Sequence, residues 1–182
     1  LVVTVDDNQS KVYGKVDPTL TATVTGMENS DTEAEVKTEM GLELSRAEGE
    51  DVDTYTITAS GENEIANYTI EYHDGEFEIT KAHLVVTVDD NQSKVYGKAD
   101  PTLTATVTGM ENSDTEAAVK TEMGLELSRA TGEAVGTYTI TASGADAIDN
   151  YTIEYNNGEF EITKAHLVVT VDDNQSKVYG KA

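Results

Sequence analysis

Three histidines, no cysteine and a large excess of carboxylates are what this sequence offers for chemistry. Without Cys there is no thiol nucleophile, disulfide or thiolate metal site. None of His73, His83 and His166 stands at a recognisable catalytic spacing from a Ser. His83 and His166 are equivalent and sit between apolar runs, where a packed or solvated imidazole is the plainer reading. With 35 Asp and Glu against 12 Lys and Arg, carboxylate pairs occur throughout and carry no specificity for acid–base catalysis. One oxygen-rich cluster recurs, Asp6-Asp7-Asn8 and Asp89-Asp90-Asn91, which makes Asp6, Asp7, Asp89 and Asp90 the candidates for an interdomain Ca²⁺. Calcium takes about six to eight oxygens, and the loop with a central glycine and a terminal Glu is missing, so the cluster reads first as a turn. A Lys–Asn crosslink would need Lys, Asn and a carboxylate buried together, and no Lys stands in an apolar setting. Asn8-Gln9-Ser10 and Asn67-Tyr68-Thr69 fit the N-glycosylation pattern, as chance allows in a chain rich in Thr and Ser. These residues imply no catalytic constellation and no cofactor, so the chain is not expected to be an enzyme.

What must position these residues is a repeat. Leu1 to Lys15 recurs letter for letter from Leu84 and again from Leu167, a period of 83 residues. The organisation that follows is one module over 1–83, a second over 84–166, and the opening strand of a third over 167–182. Each full unit exceeds the roughly 40 residues below which staples are usually needed, so each is expected to fold as a domain. The net charge of −23 argues against nucleic acid and against anionic lipid surfaces, and suits repulsion between neighbouring modules. No apolar run reaches the roughly 18 residues of a membrane span, and no signal peptide is visible, so an internal segment is expected, with any export signal or wall anchor outside it.

Within a unit the apolar period is mostly two. Leu1, Val3 and Val5 alternate with Val2 and Thr4; Leu20, Ala22 and Val24 alternate with threonines; so do Tyr55, Ile57 and Ala59, and later Tyr68, Ile70 and Tyr72. His73-Asp74-Gly75 has the composition of a hairpin turn before Phe77 and Ile79. The Tyr residues share the parity of the aliphatic positions, which favours core packing over a carbohydrate-binding stripe. Ser30-Asp31-Thr32-Glu33 matches a capping box, and Glu33/Lys37 is an i,i+4 pair, so one helix is expected over about residues 31–39. The composition predicts a mostly β (α+β) chain of tandem β-grasp-like modules with one short helix each; the alternative is an immunoglobulin-like β-sandwich. No breaker separates Glu76 from Val88. That segment is expected to leave one sheet and enter the next, giving a short, stiff junction. By the same logic Leu167–Val171 should carry unpaired edge groups, held by its own second domain or a neighbouring chain.

The two copies differ at only 11 positions, and nine of these fall in 48–53, 62–66 and 73–74. No position on an apolar strand face changes. Asp51, Asp53, Glu62, Glu64 and His73 are each replaced in the second copy, so they read as solvated loop groups and not as a shared site.

Lys11-Val12-Tyr13-Gly14-Lys15, Asp17-Pro18-Thr19-Leu20-Thr21, Thr54-Tyr55-Thr56-Ile57, Asn67-Tyr68-Thr69-Ile70 and Gly75 to Ala82, in that order, resemble the MBG domain of the YGX type, over nearly the whole unit. The segment Ser30 to Met40 is longer and more charged than that resemblance leads one to expect. The resemblance implies β-rich tandem modules of large bacterial surface and adhesin-like proteins, outside the cell and anchored at its surface or wall. Such modules commonly serve as stalk or spacer, and the family carries no catalytic residue to transfer. Neighbouring repeats are the expected partners. A host glycan or protein bound weakly by several copies, or lateral packing into a fibre, are the competing expectations.

Overall fold

The computed structural model describes residues 1–180. Alternating Val and Thr runs become strands because each buries one apolar face and leaves threonine hydroxyls in water. In the first unit these are β1 (Val2–Val5), β2 (Gln9–Val12), β3 (Ala22–Thr25), β4 (Glu43–Arg46), β5 (Thr54–Ser60), β6 (Glu64–Ile65), β7 (Tyr68–Thr69), β8 (Glu71–His73) and β9 (Gly75–Thr80), with helix α1 (Glu33–Glu39). The second unit repeats the pattern with β10 (Ala82–Val88), β11 (Gln92–Val95), β12 (Ala105–Thr108), α2 (Glu116–Glu122), β13 (Glu126–Arg129), β14 (Gly136–Ser143), β15 (Ala147–Ile148), β16 (Tyr151–Asn156) and β17 (Gly158–Thr163). The chain is therefore mostly β, in tandem modules with one short helix each.

The strands of each unit divide mainly between two sheets, ordered β3-β1-β8 and β2-β9-β5-β4 in the first, where β6 and β7 pair separately. Two parallel pairings, β1 with β8 and β2 with β9, join the start of the unit to its end. Both of these long segments cross from one sheet to the other, at residues 6–8 and at Asp74. His73-Asp74-Gly75 is thus no hairpin: β8 and β9 pair with different neighbours. Asp74 uses its side chain at the crossing, accepting a hydrogen bond from the Ala59 N–H at 3.1 Å. Gly75 is required there because a Cβ would stand 2.6 Å from Cγ1 of Val5. Between the sheets lie Val3, Val5, Val24, Ile57, Phe77 and Ile79, all essentially inaccessible to water. Leu20, Tyr68 and Ile70 are half-buried, at the rim of that core.

The helix starts two residues later than the expected cap. Thr32, not Ser30, is the N-cap, and its box partner is Glu35, whose Oε2 accepts from the Thr32 N–H at 3.0 Å. Asn29 and Ser30 instead take left-handed backbone angles, φ 53° and 70°, so Ser30 cannot start a helical turn. The Glu33–Lys37 pair forms at 2.8 Å and guards the free edge of β3. Glu33 accepts from the Val24 N–H at 2.8 Å, and Lys37 donates to the Ala22 carbonyl. In the second unit Thr115 caps α2, but Ala118 stands where Glu35 does, so the reciprocal half of the box is gone. Ala118→Glu is expected to raise the thermal stability of the second unit modestly, and Glu35→Ala to lower that of the first. Unit-resolved hydrogen exchange of the two helices checks both.

The breaker-free run does pass between units. β9 ends at Thr80, β10 begins at Ala82, and only Lys81 lies outside a strand. The further tail differs from expectation: residues 164–180 form no strand, and Leu167, Val168, Val169 and Val171 are 77–91% exposed. The second domain does not hold them. The residues that pair with the equivalent strands, such as Ala22–Thr25 for β1, have no third copy in this sequence.

Candidate functional site: the junction between units

Nearly identical sequences should have nearly identical burial, and at one place they do not. Tyr13 is 6% exposed, whereas its counterpart Tyr96 is 54% exposed. Tyr151 and Ile148 are buried, whereas Tyr68 and Ile65 are only half-buried. The difference is made by the neighbouring unit, and it marks the surface where unit 1 meets unit 2.

Tyr13 extends from the end of β2, where its N–H donates to the Thr80 carbonyl at 2.8 Å. Its ring meets Tyr151 edge to face, with centroids 5.3 Å apart and planes at 79°, a favoured aromatic geometry. Both hydroxyls converge on Asp114: Tyr151 Oη donates at 2.5 Å and Tyr13 Oη at 3.2 Å. The Glu111 N–H donates to Tyr151 Oη at 3.0 Å. Burial, then the adjacent Asp114 carboxylate, push the Tyr151 phenol well above its ordinary range, so it stays a neutral donor. Lys15 pairs with Glu111 at 2.6 Å. Between Tyr13 and Lys15, Gly14 has φ +77°, and a Cβ there would stand 2.3 Å from the Glu111 Cβ. Tyr-Gly-Lys therefore fits as one unit: a ring to bury, a left-handed turn with no side chain, and a cation for the acid opposite.

Asn150 clasps the other side. Its Oδ1 accepts from the Val52 N–H at 2.9 Å, its Nδ2 donates to Asp51 at 3.0 Å, and its carbonyl accepts from the Ala82 N–H at 3.0 Å. Lys81 donates to the Ile148 carbonyl at 2.6 Å. Ala82 and His83, which the period assigns to the first unit, pair with Tyr151 and Thr152 in the sheet of the second. The connector is thus a strand of the domain it leads into.

The residues singled out by sequence lie elsewhere or play other parts. Asp6 Oδ1 accepts from Thr23 Oγ1 at 2.7 Å, and Asp89 does the same with Thr106. Among the described residues no three His, Asp or Glu side chains converge on a point that could hold a metal, and Asp7 and Asp90 have no part in such a group. His83 rests against Thr152 and Glu154, at 3.2 and 3.4 Å, and His73 against Glu71 at 3.0 Å. Asp51 is not merely a solvated loop charge, since it bonds across the junction. Sequence comparison hid this because Ala134 replaces it in the second copy.

Two lysines also depart from expectation. Lys11 and Lys94 are buried, on strands whose Gln-Ser-Lys-Val composition does not announce a core face. Lys11 pairs with Asp17 at 2.7 Å and with Glu50, and no Asn bonds to it among the described residues. Arg46 completes the group, bonding Asp17 at 2.7 Å and Glu50 at 2.8 Å. Its guanidinium carbon lies 5.1 Å from the Tyr55 ring centroid and 5.2 Å from that of Phe77. Lys94, Asp100, Arg129 and Glu133 repeat the arrangement. Burial alone pushes the Lys11 ammonium down, but Asp17 and Glu50 together push it up. It remains a cation and an ion-pair partner, not a nucleophile.

The family model described as MBG domain (YGX type) matches residues 1–78 and 84–161. No curated protein and no solved structure matches the chain.

Proposed function

The chain belongs to the family of MBG domains of the YGX type, and from that premise we propose that it is a structural stalk segment of an extracellular bacterial surface adhesin. Its work is mechanical and not enzymatic: it holds a distal binding region away from the envelope. The observation that carries this reading is the junction, where one strand runs from unit to unit past a single residue and buries Tyr13 against Tyr151. A flexible tether needs none of this. At ~25 cal/mol per Å² of apolar surface, burying half a tyrosine is worth about 1–2 kcal/mol, and the four polar contacts of Lys15, Asp51, Val52 and Lys81 add direction. The acidic charge of −23 favours extension over collapse.

The test uses the absence of native Cys. Spin labels at the exposed, equivalent positions Glu43 and Glu126 should give one narrow distance distribution, and Tyr13→Ala should broaden it severalfold. A wild-type distribution as broad as that of the variant would end the stalk reading. One observation favours a second reading. A groove lined by Leu20, Ala22, Lys37, Leu42 and Leu44 recurs at Leu103, Ala105, Lys120, Leu125 and Leu127. A repeated groove of this kind suits weak, multivalent binding of a glycan or protein. Ligand-induced NMR shifts confined to Leu20 and Leu103 and their neighbours would promote it.

A further inference from the structure

The two units meet through different faces, the Tyr13 end of one against the Asp114–Tyr151 end of the other, so the interface is heterologous and does not close on itself. Both halves of it are present again, unpartnered. On unit 2, Tyr96 and Val135 are 54% and 48% exposed. Tyr96-Gly97-Lys98 repeats Tyr13-Gly14-Lys15 letter for letter. Gly97 holds φ +79°, as Gly14 does at +77°, with nothing within 4 Å of its absent Cβ. The plug thus keeps its shape without a partner.

The receiving half is also formed in advance. On unit 1, Tyr68 Oη donates to Asp31 at 2.6 Å and accepts from the Glu28 N–H at 3.0 Å. Tyr151 makes the same pair of bonds with Asp114 and Glu111. Charge matches as well, since Lys98 would face Glu28 of the receiving copy as Lys15 faces Glu111.

We propose that the Tyr96 face of this chain is a docking surface for a further copy of the same repeat, received on the surface that Glu28, Asp31 and Tyr68 display. One junction, repeated without closure, then builds the whole array, and separate copies of this sequence meet by the same contacts. The use of such an array rests on the stalk reading; the docking itself rests on the Tyr13 junction. One contact is missing from the repeat of that junction: Ala134 stands where Asp51 bonds Asn150, so this docking is weaker than the junction within the chain, and Ala134→Asp strengthens it.

The test mixes two full-length variants, Lys98→Cys and Glu28→Cys, at high protein concentration with a short thiol cross-linker, and reads the three products by intact mass. The ratio of mixed to self-linked product should exceed its statistical value by about fivefold. Tyr96→Ser in the Lys98→Cys chain should return it to the statistical value, and Ala134→Asp should raise it. Because Tyr96 is exposed, its replacement leaves the fold intact, which unchanged thermal unfolding verifies. Statistical proportions, no cross-linking, or indifference to Tyr96→Ser would each overturn the proposal. The label distances within one chain report on the stalk reading separately, so either can fail alone.

Discussion

Gly14→Ala is expected to uncouple the two units, whereas Gly97→Ala, the same change in the same sequence, is expected to leave the junction untouched. Both glycines hold left-handed angles, φ +77° and +79°, and alanine there costs about 1–2 kcal/mol in either place. The space around them differs. At Gly97 an added methyl meets nothing, but at Gly14 it would lie 2.3 Å from Cβ and 2.9 Å from Cγ of Glu111. A Cβ is fixed to its backbone and cannot rotate aside, so the overlap is relieved only by moving unit 2 away from unit 1. That movement withdraws Tyr151 from Tyr13, Glu111 from Lys15 and Asn150 from Val52 and Ala82. The amides of Val52 and Ala82 report it directly, because both donate to Asn150. Their exchange should quicken by about tenfold or more in Gly14→Ala, as loss of ~1.4 kcal/mol of local protection implies, and should not change in Gly97→Ala. Equal effects of the two substitutions would mean that the junction does not constrain Gly14.

The strands were legible wherever burial is apolar and alternates: Val3 and Val5, Ala22 and Val24, Ile57 and Ala59, Phe77 and Ile79 all face the core as their period requires. The passage of one strand into the next unit was legible too, from the lack of any Gly or Pro between Glu76 and Val88. What failed to show did so for physical reasons. Strand β2 has no apolar alternation because its core residue is Lys11, made tolerable inside by Asp17 and Glu50, and no pattern of hydropathy encodes a distant pair of acids. At His73-Asp74-Gly75 the composition of a tight turn serves a crossing between sheets, where Gly is needed for the closeness of Val5 and not for a reversal. The helix cap slipped because two Ser/Thr-x-x-Glu frames overlap, Ser30 with Glu33 and Thr32 with Glu35, and Glu33 is spent on Val24. The junction was hidden most completely. Tyr13 and Tyr96 carry the same letters and neighbours, and only the presence of a following unit separates a buried ring from an exposed one.

Arg46→Ala is expected to destabilise the first unit by about 2–3 kcal/mol and to blunt its sensitivity to acid. The guanidinium bonds two carboxylates and the carbonyls of Ala47 and Gly49, at 2.7 to 2.9 Å, and packs over Tyr55 and Phe77. Its removal leaves Lys11 as the sole cation for Asp17 and Glu50. The loss is smaller than for a fully enclosed ion pair because both carboxylates keep contact with water. The pH dependence follows from the direction of their shifts. Hydrogen bonding to Arg46, foremost, holds the Asp17 carboxyl below its ordinary range, and Lys11, foremost, does the same for Glu50. A carboxylate whose folded pKa is depressed stabilises the fold fully above its unfolded pKa, near ~4, and loses that contribution as pH falls through the folded value. Stability of the wild-type unit should therefore drop below about pH 4. Relief of the −23 net charge acts in the opposite direction on wild type and variant alike, so their difference isolates the network. In urea titrations at pH 7 and pH 3, the gap between wild type and Arg46→Ala should be wide at the first and narrower at the second. Arg46→Lys should fall between them, keeping charge but losing the planar fork that spans two acids and two rings. A gap that stays constant with pH would show that packing over Tyr55 and Phe77, and not the pairing with Asp17 and Glu50, is what Arg46 contributes.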